Sequence, residues 1–452
     1  MSRTIRIRKG ADIRLKGRAS QEVAQAVRSA VYAIQPPHFH GVTPKVTAKP
    51  GDRVEAGSPL FHDKYNERVQ YLSPVSGTVK EVVRGAKRRV LAIEIMADDA
   101  DAFRSFNQVN PSTASREEVL AAVLEGGMFP FIEQRPFAVP ADPKDTPRSI
   151  HVSGFSSAPL APETAEVMAG RLEEFQAGID ALGKLAGPGG VHLGVRSGDS
   201  TFNGVKGCEI STFDGPHPAG NVGVQIHAIA PINRGEVVWT MHMEDVANLG
   251  RLLLTGQYKP DRIIAAAGSE HPAPQHFAVR LGAQVATVLA GFKGSPDVRV
   301  VSGDPLTGEQ VDVAGYIGDQ HHQVTVLPEG NKPKFLLTTG WLGLGLDKFS
   351  LSRAFPTWLL PKSKEFIMDT CNNGEERAFV VSGQYDAVFP FDIYPEQLIK
   401  SIIVNDIDAM EKLGIYEVAP EDFALCEYAC TSKIQSQRIV REGLDMLQKE
   451  LG

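Results

Sequence analysis

Val46-Thr-Ala-Lys-Pro-Gly-Asp-Arg-Val-Glu-Ala-Gly-Ser-Pro-Leu60, followed by Ser73-Pro-Val-Ser-Gly-Thr-Val79, decides the fold of the N-terminal part of this chain. Its apolar residues come in runs too short for a helix, and Pro-Gly and Gly-Ser-Pro turn signals separate them. The same texture extends from Gly41 to Ile95, through Thr78 to Val83 and Val90 to Ile95. Short strands at this spacing predict a compact barrel or sandwich. Upstream, Ile5 and Ile7 alternate with Arg6 and Arg8, the period of a strand with one buried face. A β module over residues 1–100, opening with a basic strand, is the expectation.

The spacing of Gly51-Asp52, Val54, Gly57 and Leu60 before Ser73 to Val79 is similar to the barrel-sandwich fold of biotinyl and lipoyl carriers. Lys64 falls near the turn where a modified lysine sits, but His62-Asp-Lys-Tyr-Asn66 matches neither Met-Lys-Met nor Asp-Lys-Ala. Beyond a linker, Ser115-Arg-Glu-Glu118 forms a capping box before Val119, Leu120, Val123 and Leu124. Helical spacing over Pro162 to Leu185 and Met243 to Leu254 alternates with strand-like Arg148 to Val152, Val191 to Val195, Val237 to Met241 and Arg262 to Ala267. Strands alternating with helices predict an α/β layer domain over 113–295. A small β module follows over 296–330. The mixed segment 331–452 ends in helices at Pro395 to Leu413, Pro420 to Ala429 and Gln435 to Leu451. The fold class is α/β multidomain.

Acidic residues number 54 against 47 basic, a net charge of -7, which disfavours a general nucleic-acid binder. The most apolar run, Phe335 to Leu346, is about half of the ~20 residues a membrane helix needs. The basic N-terminus lacks the apolar core of a signal peptide. Four cysteines, Cys208, Cys371, Cys426 and Cys430, give no disulfide framework. A cytoplasmic chain is the expectation.

Signatures of chemistry are mostly missing. Gly187-Pro-Gly-Gly-Val-His192 has histidine where a dinucleotide loop needs its third glycine, and no phosphate loop, zinc-protease motif or nucleophile elbow occurs. Cys426 and Cys430 are spaced to share a helix face, as two thiolate ligands or as buried small hydrophobes. The histidines cluster in loops, at Pro37-His-Phe-His40, Gly215-Pro-His-Pro218, Glu270-His-Pro272 and Gln320-His-His322, where turn-forming roles outweigh a hidden zinc site. Met128-Phe-Pro-Phe131 and Arg135-Pro-Phe137 have the chemistry to line a slot for a planar quinone headgroup, or to tuck a linker into the nearest core. Arg3, Arg6, Arg8, Lys9, Arg14, Lys16 and Arg18 face a single acid, Asp12, which suits an anionic surface or an ordinary solvated face.

Lys9-Gly-Ala-Asp-Ile13 with Gly17-Arg18, His62-Asp-Lys64 before Ser73-Pro-Val-Ser-Gly77, and Gly215-Pro-His-Pro-Ala-Gly220 together resemble the A-subunit family of the Na(+)-translocating NADH:quinone reductases. Asp245-Val-Ala, Gly250-Arg-Leu, Leu254-Thr-Gly256, Asp261-Arg262, Gly303-Asp-Pro-Leu-Thr-Gly308 and Tyr316 to Val324 extend the resemblance over essentially the whole chain. It implies a peripheral component, on the cytoplasmic face of the bacterial inner membrane, of a six-subunit complex that passes electrons from NADH to ubiquinone and exports sodium. NAD, FAD, FMN, riboflavin and iron-sulfur centres then belong to partner subunits, with none bound by this chain. The family is similar to the flavin-carrying subunit of respiratory complex I without its cofactor sites, and the 296–330 module to that relative's small ligand-binding (SLBB-like) insert. The implied quinone-proximal residues are Tyr32, Phe39, His40, Phe129, Phe131, Arg135 and Phe137, although Gln35 to His40 departs from the family's usual wording. Arg6, Arg8 and Lys9 are the candidate docking residues; no catalytic or metal-ligating residue is expected. The competing readings are a free-standing flavin or iron-sulfur oxidoreductase and a biotin or lipoyl carrier.

Overall fold

The structure, a computed structural model, describes residues 3–332, 334–336, 340 and 342–451; residues 337–339 and 341 of the apolar run Phe335 to Leu346 lie outside these. No helix among the described residues is long and apolar enough to cross a membrane.

Two antiparallel sheets build the N-terminal module. Val31–Ile34, Val90–Ala97, Gly77–Arg84 and Arg53–Val54 form one, and Pro44–Val46, Pro59–Asp63 and Asn66–Leu72 the other. Strand alternation does the sorting: Val90, Ile93 and Ile95 are buried while Leu91 and Met96 face outward. Lys64 lies exposed in the turn between Pro59–Asp63 and Asn66–Leu72.

The α/β layer is a seven-stranded sheet in the order Arg3–Arg6, Glu209–Asp214, Val191–Arg196, Ile150–Ser153, Val238–Thr240, Glu133–Arg135 and Val139–Pro140. The first five strands are parallel, and the last two are added through antiparallel pairings, Glu133–Arg135 against Val238–Thr240 and Val139–Pro140 against Glu133–Arg135. Ser115 starts helix Arg116–Glu125 with both halves of its capping box made. The single helix expected over Pro162 to Leu185 is two, Thr164–Val167 and Leu172–Leu185. Gly170, at φ 72°, turns the chain between them, and apolar periodicity runs on undisturbed across such a break. Helix Leu172–Leu185 lies so close to Met243–Thr255 that a Cβ on Gly250 would stand 1.7 Å from the Glu174 carbonyl oxygen.

Strand partners differ from the expected grouping in two places. Asp261–Ala267 and Gln275–Arg280, read as part of the α/β domain over 113–295, belong to a six-stranded sheet ordered Glu309–Gln310, Val298–Ser302, Gln323–Pro328, Asp261–Ala267, Gln275–Arg280, Ser20–Gln25. The N-terminal strand Arg3–Arg6 pairs with Glu209–Asp214 instead of joining the barrel-sandwich, and Ser20–Gln25 runs beside Gln275–Arg280. Alternation sets which face a strand buries, whereas pairing between distant segments leaves no local mark.

The C-terminal region is helical, with its first stretch split into Pro395–Ile403 and Ile407–Lys412 at Asn405, φ 58°. Ala424–Ala429 and Ser436–Leu451 complete it. These helices cover a second core that includes Ile7, Ile13 and Leu15 from the N-terminal arm and Phe213 from the α/β sheet. The turn at Gly187 to Gly190 ends a helix and feeds strand Val191–Arg196.

Candidate functional site

The two aromatic segments meet, but through a few of their residues. Pro36 and Pro37 tighten Pro36–His38 into a 3₁₀ turn after strand Val31–Ile34, which drops Phe39 into the core. Phe129–Phe131 forms a second such turn ahead of strand Glu133–Arg135. Phe39 and Phe131 pack edge-to-face with centroids 5.8 Å apart. Phe39 also packs on Tyr71 at 4.7 Å, and Tyr71 stacks on Phe61 at 4.2 Å. Such edge-to-face and stacked pairs each add about 1 kcal/mol beyond their buried area.

The remaining candidates scatter. Phe129 packs against Trp239 at 5.6 Å inside the α/β sheet. Tyr32 is buried, and its hydroxyl accepts the Ser29 amide hydrogen at 3.2 Å. Phe137, at φ 84°, leans on the C-terminal core. Arg135 is buried among Glu133 at 2.8 Å, Glu421 and Asp422, so its guanidinium ties the α/β sheet to the C-terminal helices. His40 is half-exposed, with Nε2 2.8 Å from Asp445 on helix Ser436–Leu451. Phe39 and His40 line an open cleft of about 420 Å³ with Pro36, Pro37, Val42 and the arginines 84, 88 and 89; the other five are not among its lining residues.

Directly behind Phe131 lies a polar cluster. The Arg262 guanidinium carbon sits 5.4 Å from the Phe131 ring centroid. Arg262 donates to Asp245 at 2.5 Å and to the Asp319 carbonyl at 3.2 Å. Glu244 accepts the Ile263 amide at 2.8 Å and stands 2.7 Å from His322 Nδ1. His38 Nδ1 lies 3.4 Å from Asp319 Oδ2, and Nε2 lies 3.8 Å from Glu309. Burial would depress the His38 imidazole, but Asp319 and Glu309 carry it up to about 9. The cluster thus joins the barrel-sandwich turn, the first turn of helix Met243–Thr255 and the six-stranded sheet. That helix turn suits two carboxylates because its free amides carry partial positive charge.

His242, Asp245 and His322 bring ligand atoms within 4.8 Å of one another. The two rings are stacked, with centroids 3.5 Å apart and planes 19° from parallel. Imidazole lone pairs lie in the ring plane, so these two point alongside each other and share no common point about 2 Å away, where a zinc ion would sit. Burial holds both rings well below the usual histidine range, and they serve as a neutral stacked pair.

Cys426 and Cys430 are buried in the C-terminal core, and burial pushes the Cys426 thiol above its ordinary value, opposite to what thiolate ligands need. Arg6 and Arg8 are exposed beside Asp214, Gly215 and Pro216, with Arg6 3.6 Å from Asp214, and Lys9 is exposed next to them. In the sequence Asp245, Arg262 and the segment Tyr316 to Val324 stand as separate motifs, and nothing there marks them as one cluster. The available signal was charge placed inside apolar periods, as in Met243-Glu-Asp-Val246 and Asp261-Arg-Ile-Ile264.

Models of the NqrA N-terminal barrel-sandwich hybrid domain, the NqrA second alpha/beta domain and the NQRA C-terminal domain match residues 5–98, 114–258 and 263–313. The A-subunit of the Na(+)-translocating NADH-quinone reductase from Pseudomonas aeruginosa is 36% identical over 99% of this chain and 100% of its own length. Those of Marinomonas sp. and Rhodopirellula baltica are 33% and 35% identical, each over 98% of this chain and 99% and 98% of their own. Among solved structures, an NAD+-reducing NiFe-hydrogenase in the H2-reduced state aligns over 75% of this chain and 61% of its own at 12% identity, TM-score 0.39. The chain belongs to the NqrA family, the A-subunits of Na(+)-translocating NADH-quinone reductases.

Proposed function

We propose that this chain works as the peripheral, non-redox A-subunit of a Na(+)-translocating NADH-quinone reductase. It sits on the cytoplasmic face of the bacterial inner membrane with five other subunits. Those partners hold the NADH site, flavins and iron-sulfur centres, ubiquinone is the substrate of the complex, and the chain itself carries electrons nowhere. The observation that carries this reading is likeness along nearly the whole chain to relatives of that name. Within it, the quinone ring lies against Phe39 and His40 in the open cleft, with Phe131 behind Phe39. Apolar residues with a few polar groups, here His40 and the three arginines, are the usual make-up of a site for a small planar ligand. Phe131 and Tyr71 back Phe39 through their ring contacts with it, Tyr32, Phe129, Arg135 and Phe137 stand outside the cleft as packing residues, and Arg6, Arg8 and Lys9 face an acidic surface on one of the partners.

Affinity capture of the chain from gently solubilised native membranes tests the assignment. Co-elution of several membrane subunits with sodium-stimulated NADH:quinone reduction is expected. A solitary chain absorbing near ~450 nm would replace the reading with a free-standing flavoprotein. For the cleft, Phe39→Leu in the assembled complex is expected to raise the quinone KM by about threefold with kcat kept, as for lost ground-state binding. Phe137→Leu is expected to leave KM alone, and equal KM values for both variants would return Phe39 to a packing role.

A further inference from the structure

The turn between strands Gly77–Arg84 and Val90–Ala97 reads Arg84-Gly-Ala-Lys-Arg-Arg89: four cations in six residues and no acid, in a chain of net charge -7. Lys87 and Arg88 take left-handed backbone angles, φ 53° and 61°. All four basic side chains are exposed. Among the described residues their one side-chain hydrogen bond runs from Arg84 Nη1 to the Arg88 carbonyl, 3.1 Å. Lys80, lower on the same strand, is by contrast paired with Glu94 at 2.8 Å. The N-terminal strand is also partly compensated, through Arg6 and Asp214.

Three of these arginines form one wall of the cleft described above. Pro36, Pro37, Phe39, Val42 and Pro44, apolar residues with His40 among them, line the same cleft. At the turn itself Leu91 keeps 40% of its surface exposed, close enough that a Cβ on Gly85 would meet its Cδ1 at 2.9 Å. Guanidinium groups without an acid partner among the described residues thus stand beside buried and half-buried apolar residues and one exposed leucine. Guanidinium groups pair with phosphate oxygens two at a time. Their long stems lie along apolar surface while the charge reaches out.

We infer that the turn 84–89 is a bilayer-facing surface, whose arginines and lysine seat on the phosphates of anionic phospholipids. Leu91 and the apolar rim of the cleft then meet the boundary between headgroups and acyl chains. A bilayer fits better than nucleic acid, because the surface beside the cations offers proline and aliphatic side chains instead of donors and acceptors for bases. It fits better than an acidic protein face because a bilayer boundary offers anionic phosphates and apolar chains side by side, matching four cations next to Leu91 and the apolar residues of the cleft. The turn borders the same cleft as the quinone reading, but the two fail separately: lipid binding interrogates the turn, and quinone kinetics interrogates Phe39.

Co-sedimentation of the full chain with vesicles tests it, comparing phosphatidylcholine alone with an equal mixture of phosphatidylcholine and phosphatidylglycerol at about 0.05 M salt. Binding to the mixed vesicles, weak binding to the neutral ones and release by high salt are expected. Replacing the three arginines together, Arg84→Gln, Arg88→Gln and Arg89→Gln, is expected to weaken binding at least about tenfold. Replacing Arg6→Gln, Arg8→Gln and Lys9→Gln is expected to cost much less, and circular dichroism should show both variants folded. The inference falls if the chain does not prefer anionic vesicles, or if the turn variant binds like the parent. It also falls if the N-terminal variant accounts for the loss, or if millimolar inorganic phosphate competes the chain off, which would mark a site for a free anion.

Discussion

Arg262 and Arg135 are both buried and both join separate parts of the molecule, yet their surroundings differ in how far water reaches. Arg262 spans from strand Asp261–Ala267 to helix Met243–Thr255, where Asp245 and Glu244 keep 5% and 0% of their side-chain surface. Arg171, 3.8 Å from Glu244, adds a second cation. Around Arg135, Glu133 and Glu421 keep 31% and 35%. Asp422, fully buried 3.9 Å away, adds a third carboxyl. The first cluster is sealed and matched in charge; the second is acid-rich and open at its rim. In a sealed pair the survivor of a deletion has no water to turn to. In an acid-rich cluster, protonation offers relief.

The largest expected effect tests that contrast directly. Arg262→Met, which keeps the volume and removes the charge, is expected to destabilise by about 4 kcal/mol, the cost of leaving a buried carboxylate unpaired. Arg135→Met is expected to cost about 2 kcal/mol, because its acids reach solvent or take up a proton. Hydrogen exchange in helix Met243–Thr255 and in the turn Pro420–Phe423 that carries Glu421 and Asp422 reads the two losses locally, which suits a multidomain chain without a single unfolding transition. Equal losses would mean that rim exposure does not protect the Arg135 cluster.

The contrast also marks where sequence reasoning stops. Period and turn chemistry gave the barrel-sandwich strands, the Ser115 cap and most helix positions, because each depends on neighbours a few residues away. The breaks at Gly170 and Asn405 were hidden because apolar spacing continues through them. Arg3–Arg6 was legible as a strand with Ile7 inward, but not as the edge of the α/β sheet, since its partner lies some two hundred residues on. Of the candidate site, Phe39 and Phe131 come together and Phe137 does not, a matter of packing between modules. Arg84 to Arg89 is plain in the sequence as a run of charge, but its meaning is not. That depends on the cleft beneath it and on the lack of an acid partner among the described residues, both three-dimensional facts.

A second, smaller effect concerns pH. Burial first, and then Glu421, push the Asp422 carboxyl up to about 7, against the pull of Arg135. Its unfolded value is 3.8, so the folded chain holds more protons across this interval. Stability from this group is therefore full below about pH 4 and falls as pH rises through about 7. The other groups facing it are the Ala419 amide, which donates to Asp422 Oδ2 at 2.9 Å, and Asn221, whose Nδ2 donates to the Glu421 carbonyl. Asp422→Asn is expected to flatten the fall in C-terminal helix protection between pH 5 and 7.5, by about 2 kcal/mol. A slope unchanged by the substitution would assign it to other carboxyls.

The smallest effect separates the clusters by the opposite end of the pH scale. His38, carried up to about 9 by Asp319 and Glu309 against its own burial, is charged in the folded chain at neutral pH. Its unfolded value is 6.5, so this stabilisation is complete below about pH 6.5 and is lost as pH rises through about 9. The loss is partial by construction. The Asp319 amide also points at His38 Nδ1, 3.2 Å away, so a neutral ring accepts from the amide where the charged ring donated to the carboxylate. That exchange holds the expected change to about 1 kcal/mol, well under the full linkage of such a shift. His38→Gln keeps a polar contact, and it is expected to remove the alkaline loss of protection in the Pro36–His38 turn while leaving the Asp422 transition in place. If both transitions moved together, the sealed and open clusters would be one coupled network, and the distinction between Arg262 and Arg135 would fail.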